Sequence, residues 1–208
     1  MLIVLDKPRR DRAAERREAT SAEIVDAAWE AAREQGLAAF TLKEVAERVG
    51  MRAPSLYGHF ASKTAIIDAM FAQAWREYRV VADETFSAVP SAPREALGAV
   101  ATTYFEFAVA DLVRHQLMDT AAVPGFRPSD EAYAPSVAVY EQLVGLLHRL
   151  GITDPDERDL YTALIGALVE QQLANDPGGE RWRRLLPRAV DMYADHVGLP
   201  GPSLQGEP

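Results

Sequence analysis

Apolar residues return every three or four positions through nearly the whole of this 208-residue chain, and no alternating run of four or more residues bounded by turn signals follows residue 5. A period near 3.6 buries one face of a helix, whereas a period of two buries one face of a strand. The expected fold class is therefore all-α. About nine helices are predicted, at 21–35, 42–49, 54–60, 63–84, 93–109, 111–119, 134–150, 156–175 and 179–197. Several of their ends can be read directly. Thr20 with Glu23, and Thr41 with Glu44, have the spacing of a capping box, in which each side chain takes a backbone N–H that a helix start leaves unpaired. Gly36 and Gly50 follow the apolar stripes of those two helices and supply the left-handed residue at which helices commonly stop. Pro54 has its φ preset for the first position of the third helix. Ser62 is placed to cap the fourth, and Pro187 falls inside the last helical pattern, where a kink is expected.

With 48% hydrophobic and 25% charged residues the chain has the composition of an ordinary globular protein. It has no cysteine, which removes disulfides, thiol nucleophiles and Cys-bound metals and suits a cytoplasmic location. The apolar opening, residues 1–5, is too short for a signal peptide and precedes its basic residues instead of following them. No later run approaches the roughly 20 apolar residues of a membrane span, so no membrane partner is expected. The net charge of −9 is unevenly spread. Of the 22 basic and 31 acidic residues, 11 and 10 fall in residues 1–63, which leaves 11 and 21 for the remainder. The acidity belongs to the C-terminal two-thirds and does not argue against a nucleic-acid partner for the N-terminal third.

These patterns divide the chain into four segments. Residues 1–19, with Lys7, Arg9, Arg10, Arg12, Arg16 and Arg17, read either as a flexible basic arm lying along DNA or as a solvated tail. Residues 20–65 form an N-terminal three-helix, helix-turn-helix domain, joined by the long fourth helix to a larger helical domain over 66–197. Residues 198–208 hold too many turn formers to be expected to order.

Two short helices joined across a glycine and packed under a preceding helix make a helix-turn-helix, whose second short helix enters the major groove. The run from Thr41 to Lys63 matches a known pattern in order, spacing and residue class, above all in Leu56, Tyr57, Gly58, His59 and Phe60 followed by Ser62 and Lys63. It resembles the DNA-binding region of TetR family transcriptional regulators. The likeness covers about residues 20–65; the rest of the chain resembles that family only in being helical, acidic and of suitable length.

Physical roles can be set beside the resemblance. Arg52, Ala53, Pro54 and Ser55 stand at the exposed start of the third helix, where base edges or phosphates are reached, while Leu56 and Phe60, four apart, face the core. Tyr57 projects away from that core, toward a phosphate or a thymine methyl, unless it is a partly buried aromatic. The hydroxyl of Thr41 caps the second helix, and its backbone N–H lies where helix starts bind phosphate. Lys43 and Arg52 flank the recognition helix as phosphate or guanine contacts or as solvated charges. Lys63 is the phosphate anchor that the resemblance implies. His59 corresponds to a backbone-contact position of the family, or is a structural histidine. With Ala53 and Gly58 in place of polar or bulky groups, base reading leans on Arg52, Ser55, thymine methyls and DNA shape.

The resemblance further implies a homodimer through two C-terminal helices, a palindromic double-stranded operator, and repression relieved by a small-molecule effector. Dimer candidates are Leu160, Ala163, Leu164, Gly166, Ala167 and Leu168 on one helix, with Trp182, Leu185, Leu186, Val190 and Tyr193 on the next. One short recognition helix buries too little to bind tightly, which independently favours two. A ligand pocket between the middle helices is expected to draw on Tyr104, Phe107, His115, Met118, Tyr140 and Glu170. No enzyme is expected. There is no glycine-rich phosphate loop or nucleophile elbow, the four histidines at 59, 115, 148 and 196 have no metal-like spacing, and no cofactor is implied.

Overall fold

The computed structural model describes residues 12–119 and 122–201. Among the described residues there are nine α-helices, one short 3-10 turn and no strand. The chain divides into two compact units, Met1–Met70 and Phe71–Pro208.

In the first unit α1 (Arg12–Gln35) packs on α2 (Leu42–Val49), and α2 on α3 (Ala53–Leu56). The buried stripe of α1 is Ile24, Ala28 and Ala31, flanked by Val25 and Ala32. This helix begins at Arg12, so Thr20 does not cap it but sits inside it. Residues 13–18 are alanine, glutamate and arginine, among the best helix formers, and they carry the helix through part of the segment read as a flexible arm. Residues 1–11 of that arm lie outside the described residues.

The second capping box forms as expected. Thr41 Oγ1 accepts the Glu44 N–H at 3.3 Å, and Thr41 N–H donates to Glu44 Oε2 at 2.8 Å. At the other end Gly50 adopts φ +74°, and Met51 N–H reaches back to the Ala46 carbonyl at 2.9 Å, the long closing bond of a Schellman ending. α3 is N-capped by Arg52, which makes Pro54 its second position instead of its first, and it ends at Leu56 instead of Phe60. Tyr57, Gly58 and His59 form a turn instead. The Gly58 N–H donates to the Ser55 carbonyl at 3.1 Å, and those of His59 and Phe60 both bond Leu56. α4 (Lys63–Ser87) starts as expected, with Ser62 Oγ accepting the Ala65 N–H at 3.1 Å.

In the second unit α5 (Pro93–Val109), α8 (Pro155–Asn175) and α9 (Leu186–His196) pack mutually around Leu97, Phe105, Tyr161, Ile165, Val190 and Tyr193. α6 (Leu112–Asp119) adjoins α5. α7 (Asp130–Arg149) starts before the predicted 134, because Ser129 Oγ accepts the Ala132 N–H at 3.2 Å and caps it; the helix then runs on through Pro135. The predicted last helix is two pieces, a 3-10 turn at Arg183–Leu185 and then α9. Pro187 stands in the first turn of α9, where its missing N–H costs nothing, so it begins a helix instead of kinking one.

Two polar arrangements close this unit. Gln172, 2% exposed, accepts the Trp182 and Arg183 N–H groups at 2.9 and 3.2 Å and donates to the Gly179 and Asp176 carbonyls. Arg94 donates to the Leu199 and Pro200 carbonyls at 2.9 and 2.8 Å and pairs with Asp195. Leu199, expected in a disordered tail, is therefore tied down and joins the core. Residues 202–208 of that tail lie outside the described residues. Among the described residues no single helix is long and apolar enough to cross a membrane.

Candidate nucleic-acid interface and ligand cavity

The α2–α3 region presents a polar, exposed face with a fully buried anchor behind it. Leu56 is 0% exposed, whereas Tyr57 one position on is 57% exposed. Arg52, Pro54, Ser55 and Gly58 share that exposure, with Ala53 and His59 half-buried. The alternative of a buried Tyr57 is thereby removed. A Cβ added at Gly58 would stand 3.2 Å from the Ser55 carbonyl oxygen, a crowded approach that favours glycine in this tight turn. α1 supports the turn from behind, with Arg17 Nη2 donating to the Gly58 carbonyl at 2.7 Å and Ser21 Oγ 3.1 Å from His59 Nδ1.

Three further predicted contact residues are engaged within the chain. The Thr41 N–H, expected to face phosphate, is taken by Glu44, whose carboxyl is held below its ordinary pKa by the backbone and side-chain hydrogen bonds from Thr41. Lys43 lies 3.7 Å from Glu47, one helical turn on, with both side chains largely in solvent. Lys63 Nζ donates to the Ala38 carbonyl at 2.7 Å and lies 4.2 Å over the Phe40 ring. Partial burial lowers its pKa. An ammonium has three donors, so the Ala38 bond anchors the start of α4 without exhausting the group.

The second unit contains a partly open cavity of about 540 Å³, within the usual size range of small-molecule sites. Of the six residues predicted for it, Tyr104, His115, Tyr140 and Glu170 line it and Phe107 and Met118 do not. Phe107 packs 5.0 Å from the Tyr78 ring, with the Arg114 guanidinium 3.7 Å over its own ring, and Met118 is a buried core residue. Trp75, Tyr78 and Tyr161 line the cavity as well, and the three-residue spacing of the first two, which puts both rings on one face of α4, is the sequence signal for them. His115, 3% exposed, lies with Nε2 2.7 Å from Glu170 Oε1. The Trp75 indole N–H is buried with no hydrogen-bond partner among the described residues.

Residues 24–70 match the family model described as bacterial regulatory proteins, tetR family. This stretch is a tetR-family DNA-binding region. It is 27% identical over 163 residues to the class A tetracycline repressor protein from transposon 1721 of Escherichia coli, a match covering 76% of this chain and 69% of that protein. The fold of TetR-type regulators extends beyond the matched domain. The structure of the candidate regulatory protein SCO4313 superposes with a TM-score of 0.74 at 19% identity, covering 91% of this chain and all of that one. The transcriptional regulator FadR of Bacillus subtilis, solved with stearoyl-CoA, gives 0.64 at 17%, covering 83% and 96%. On this likeness the chain is a DNA-binding transcriptional regulator.

The helices from which a TetR dimer surface was expected divide the candidate residues. On α8, Leu160 is 46% exposed, Ala163 and Ala167 are exposed, and Leu164 and Leu168 are half-buried. On α9, Leu186, Val190 and Tyr193 are spent on the protomer's own core, and it is Met192, 61% exposed, that faces solvent. α9 is amphipathic, and its stripe is the inward one.

Proposed function

We propose that the protein is a homodimeric cytoplasmic repressor that holds a palindromic operator through paired α3 turns and leaves it when a small molecule occupies the cavity of the second unit. The observation that carries this reading is the α3 turn, where Arg52, Pro54, Ser55 and Tyr57 are exposed around the buried Leu56 in a tetR-family DNA-binding region. Arg52 supplies a bidentate guanine or phosphate contact, Tyr57 a hydroxyl and an apolar ring, and Lys63 the donors left after Ala38. Thr41 acts as a cap, and Lys43, His59, Ala53 and Gly58 shape the rim of the contact. The half-exposed apolar residues of α8 support dimerisation, and Trp75 and Tyr78 on α4, the helix that begins with Lys63, support a route by which cavity occupancy reaches the DNA-binding unit.

The test is retention of the chain's own upstream DNA across a salt series. Wild type is expected to bind a palindromic segment as a dimer with a steep loss of affinity on raising salt. Tyr57→Ala is expected to lower affinity with little change of salt slope, and Arg52→Ala to lower both. Absence of any retained segment, upstream or in a genome-wide selection, would overturn the reading in favour of a helical interaction protein.

A further inference from the structure

We infer that the cavity of the second unit accepts an organic cation, a molecule with an apolar body and one positive centre. The inference deepens the regulator reading above and rests on it only for the consequence of binding. Size admits a drug-sized molecule, but the lining chemistry is what discriminates among charge types.

Three observations converge. First, the walls are aromatic: the Trp75 and Tyr78 rings meet at 6.0 Å and 70°, and Tyr78 meets Tyr104 at 5.6 Å and 73°. Edge-to-face arrays of this kind leave ring faces bearing negative charge density, which attract a cation and repel an anion. Second, Glu170 is the one carboxylate among the described lining residues, and that lining holds no lysine or arginine. Third, His115 Nε2 lies 2.7 Å from Glu170 Oε1, and because a carboxylate has several acceptor positions this one contact does not use up the group.

The alternatives fare worse on the same ground. A carboxylate or phosphate ligand would sit beside the Glu170 carboxylate with no lysine or arginine in the described lining to receive it. The ligand seen with the fold relative FadR is an anionic thioester, so a shared fold does not carry a shared ligand class here. Arg158 lies 5.3 Å over the ring of the lining residue Tyr140 and is bonded to Asp159 at 3.3 Å, but it is not itself among the lining residues. An uncharged ligand meets no penalty, but it leaves both the ring faces and Glu170 unused.

The experiment is calorimetric titration of the full chain with three probes of similar shape, namely tetraphenylphosphonium, triphenylphosphine oxide and tetraphenylborate. DNA retention is measured in parallel. Two variants accompany the wild type. Glu170→Gln changes a half-exposed side chain. Gly166→Leu fills the lining at a helical position where an added Cβ meets nothing within 4 Å. The phosphonium is expected to bind about tenfold more tightly than the neutral oxide, on the scale of one cation–π or ion-pair contact, and the borate not at all. Glu170→Gln should bring the phosphonium down to the affinity of the oxide while leaving the oxide unchanged, and Gly166→Leu should abolish both in a chain whose far-ultraviolet circular dichroism matches that of wild type. Borate binding equal to phosphonium, an unchanged ratio in Glu170→Gln, or no binding of any probe would overturn the inference. Operator binding that persists while every probe fails would remove the cation inference alone. Cation binding in a chain that retains no DNA would instead remove the regulator reading.

Discussion

Gln172 offers the sharpest check on the packing of the second unit. It is a polar side chain 2% exposed, near the end of α8, and it makes four hydrogen bonds to the backbone of the segment leading to α9. Replacing it by leucine keeps the volume and removes all four. At about 1 kcal/mol per net hydrogen bond the gross loss is about 4 kcal/mol. The partner groups lie in a partly exposed turn and regain some bonds from water, which leaves an expected destabilisation of about 3 kcal/mol. For a chain of this size each kcal/mol moves the melting temperature by roughly 2–4 °C, so Gln172→Leu should melt about 6–12 °C below wild type. Its neighbour Gln171 is exposed and bonds only to Asn175 across one helical turn, so Gln171→Leu should melt within a degree or two of wild type. Circular dichroism melts of the three proteins decide the matter. Equal melting temperatures for the two variants would refute the assignment of Gln172 as the clamp on this turn.

Three further outcomes follow from the same geometry. Lys63→Met loses one charged hydrogen bond and a ring contact and should cost about 1 kcal/mol, read as a melting shift of a few degrees. Gly50→Ala forces a Cβ into φ +74° at the α2 ending and should also cost about 1 kcal/mol, with loss of amide protection over α2 in hydrogen exchange. Burial and the neighbouring Glu157 push Tyr193 up to about 12, and burial raises Tyr161 further. The unfolded chain ionises its tyrosines from about pH 10, so the stability these two residues contribute is fully present below that pH and is lost as pH rises toward 12. Tyr193→Phe should flatten that alkaline decline by one proton, measured as the pH dependence of the denaturant midpoint; an unchanged slope would mean that Tyr193 ionises normally in the fold.

The limits of reading this chain from its residues are physical. Thr20 with Glu23 and Thr41 with Glu44 carry the same capping spacing, but only the second pair caps a helix. A capping box satisfies N–H groups only if the helix stops there, and the residues before Thr20 favour continuing whereas Phe40 before Thr41 closes a turn opened by Gly36. Pro54 and Pro187 show the complementary case, since a residue that lacks an N–H marks a helix start wherever one can form. Periodicity therefore identified which stretches are helical, and local competition between neighbours set their ends. Side-chain destination is another matter. Tyr104 and Phe107 are three apart on α5, and only Tyr104 lines the cavity, because Arg114 from α6 covers the ring of Phe107. Likewise Leu186, Val190 and Tyr193 are as apolar in sequence as any interface stripe, and their burial in the protomer's own core is decided by α5 and α8 packing on that face. What distinguishes a cavity wall or an interface from a core is which neighbour arrives first, and that information is held by residues far away along the chain. Once the fold has fixed the lining, its charge inventory needs only residue identities, and that inventory makes Glu170 the residue whose neutralisation is most informative about the effector.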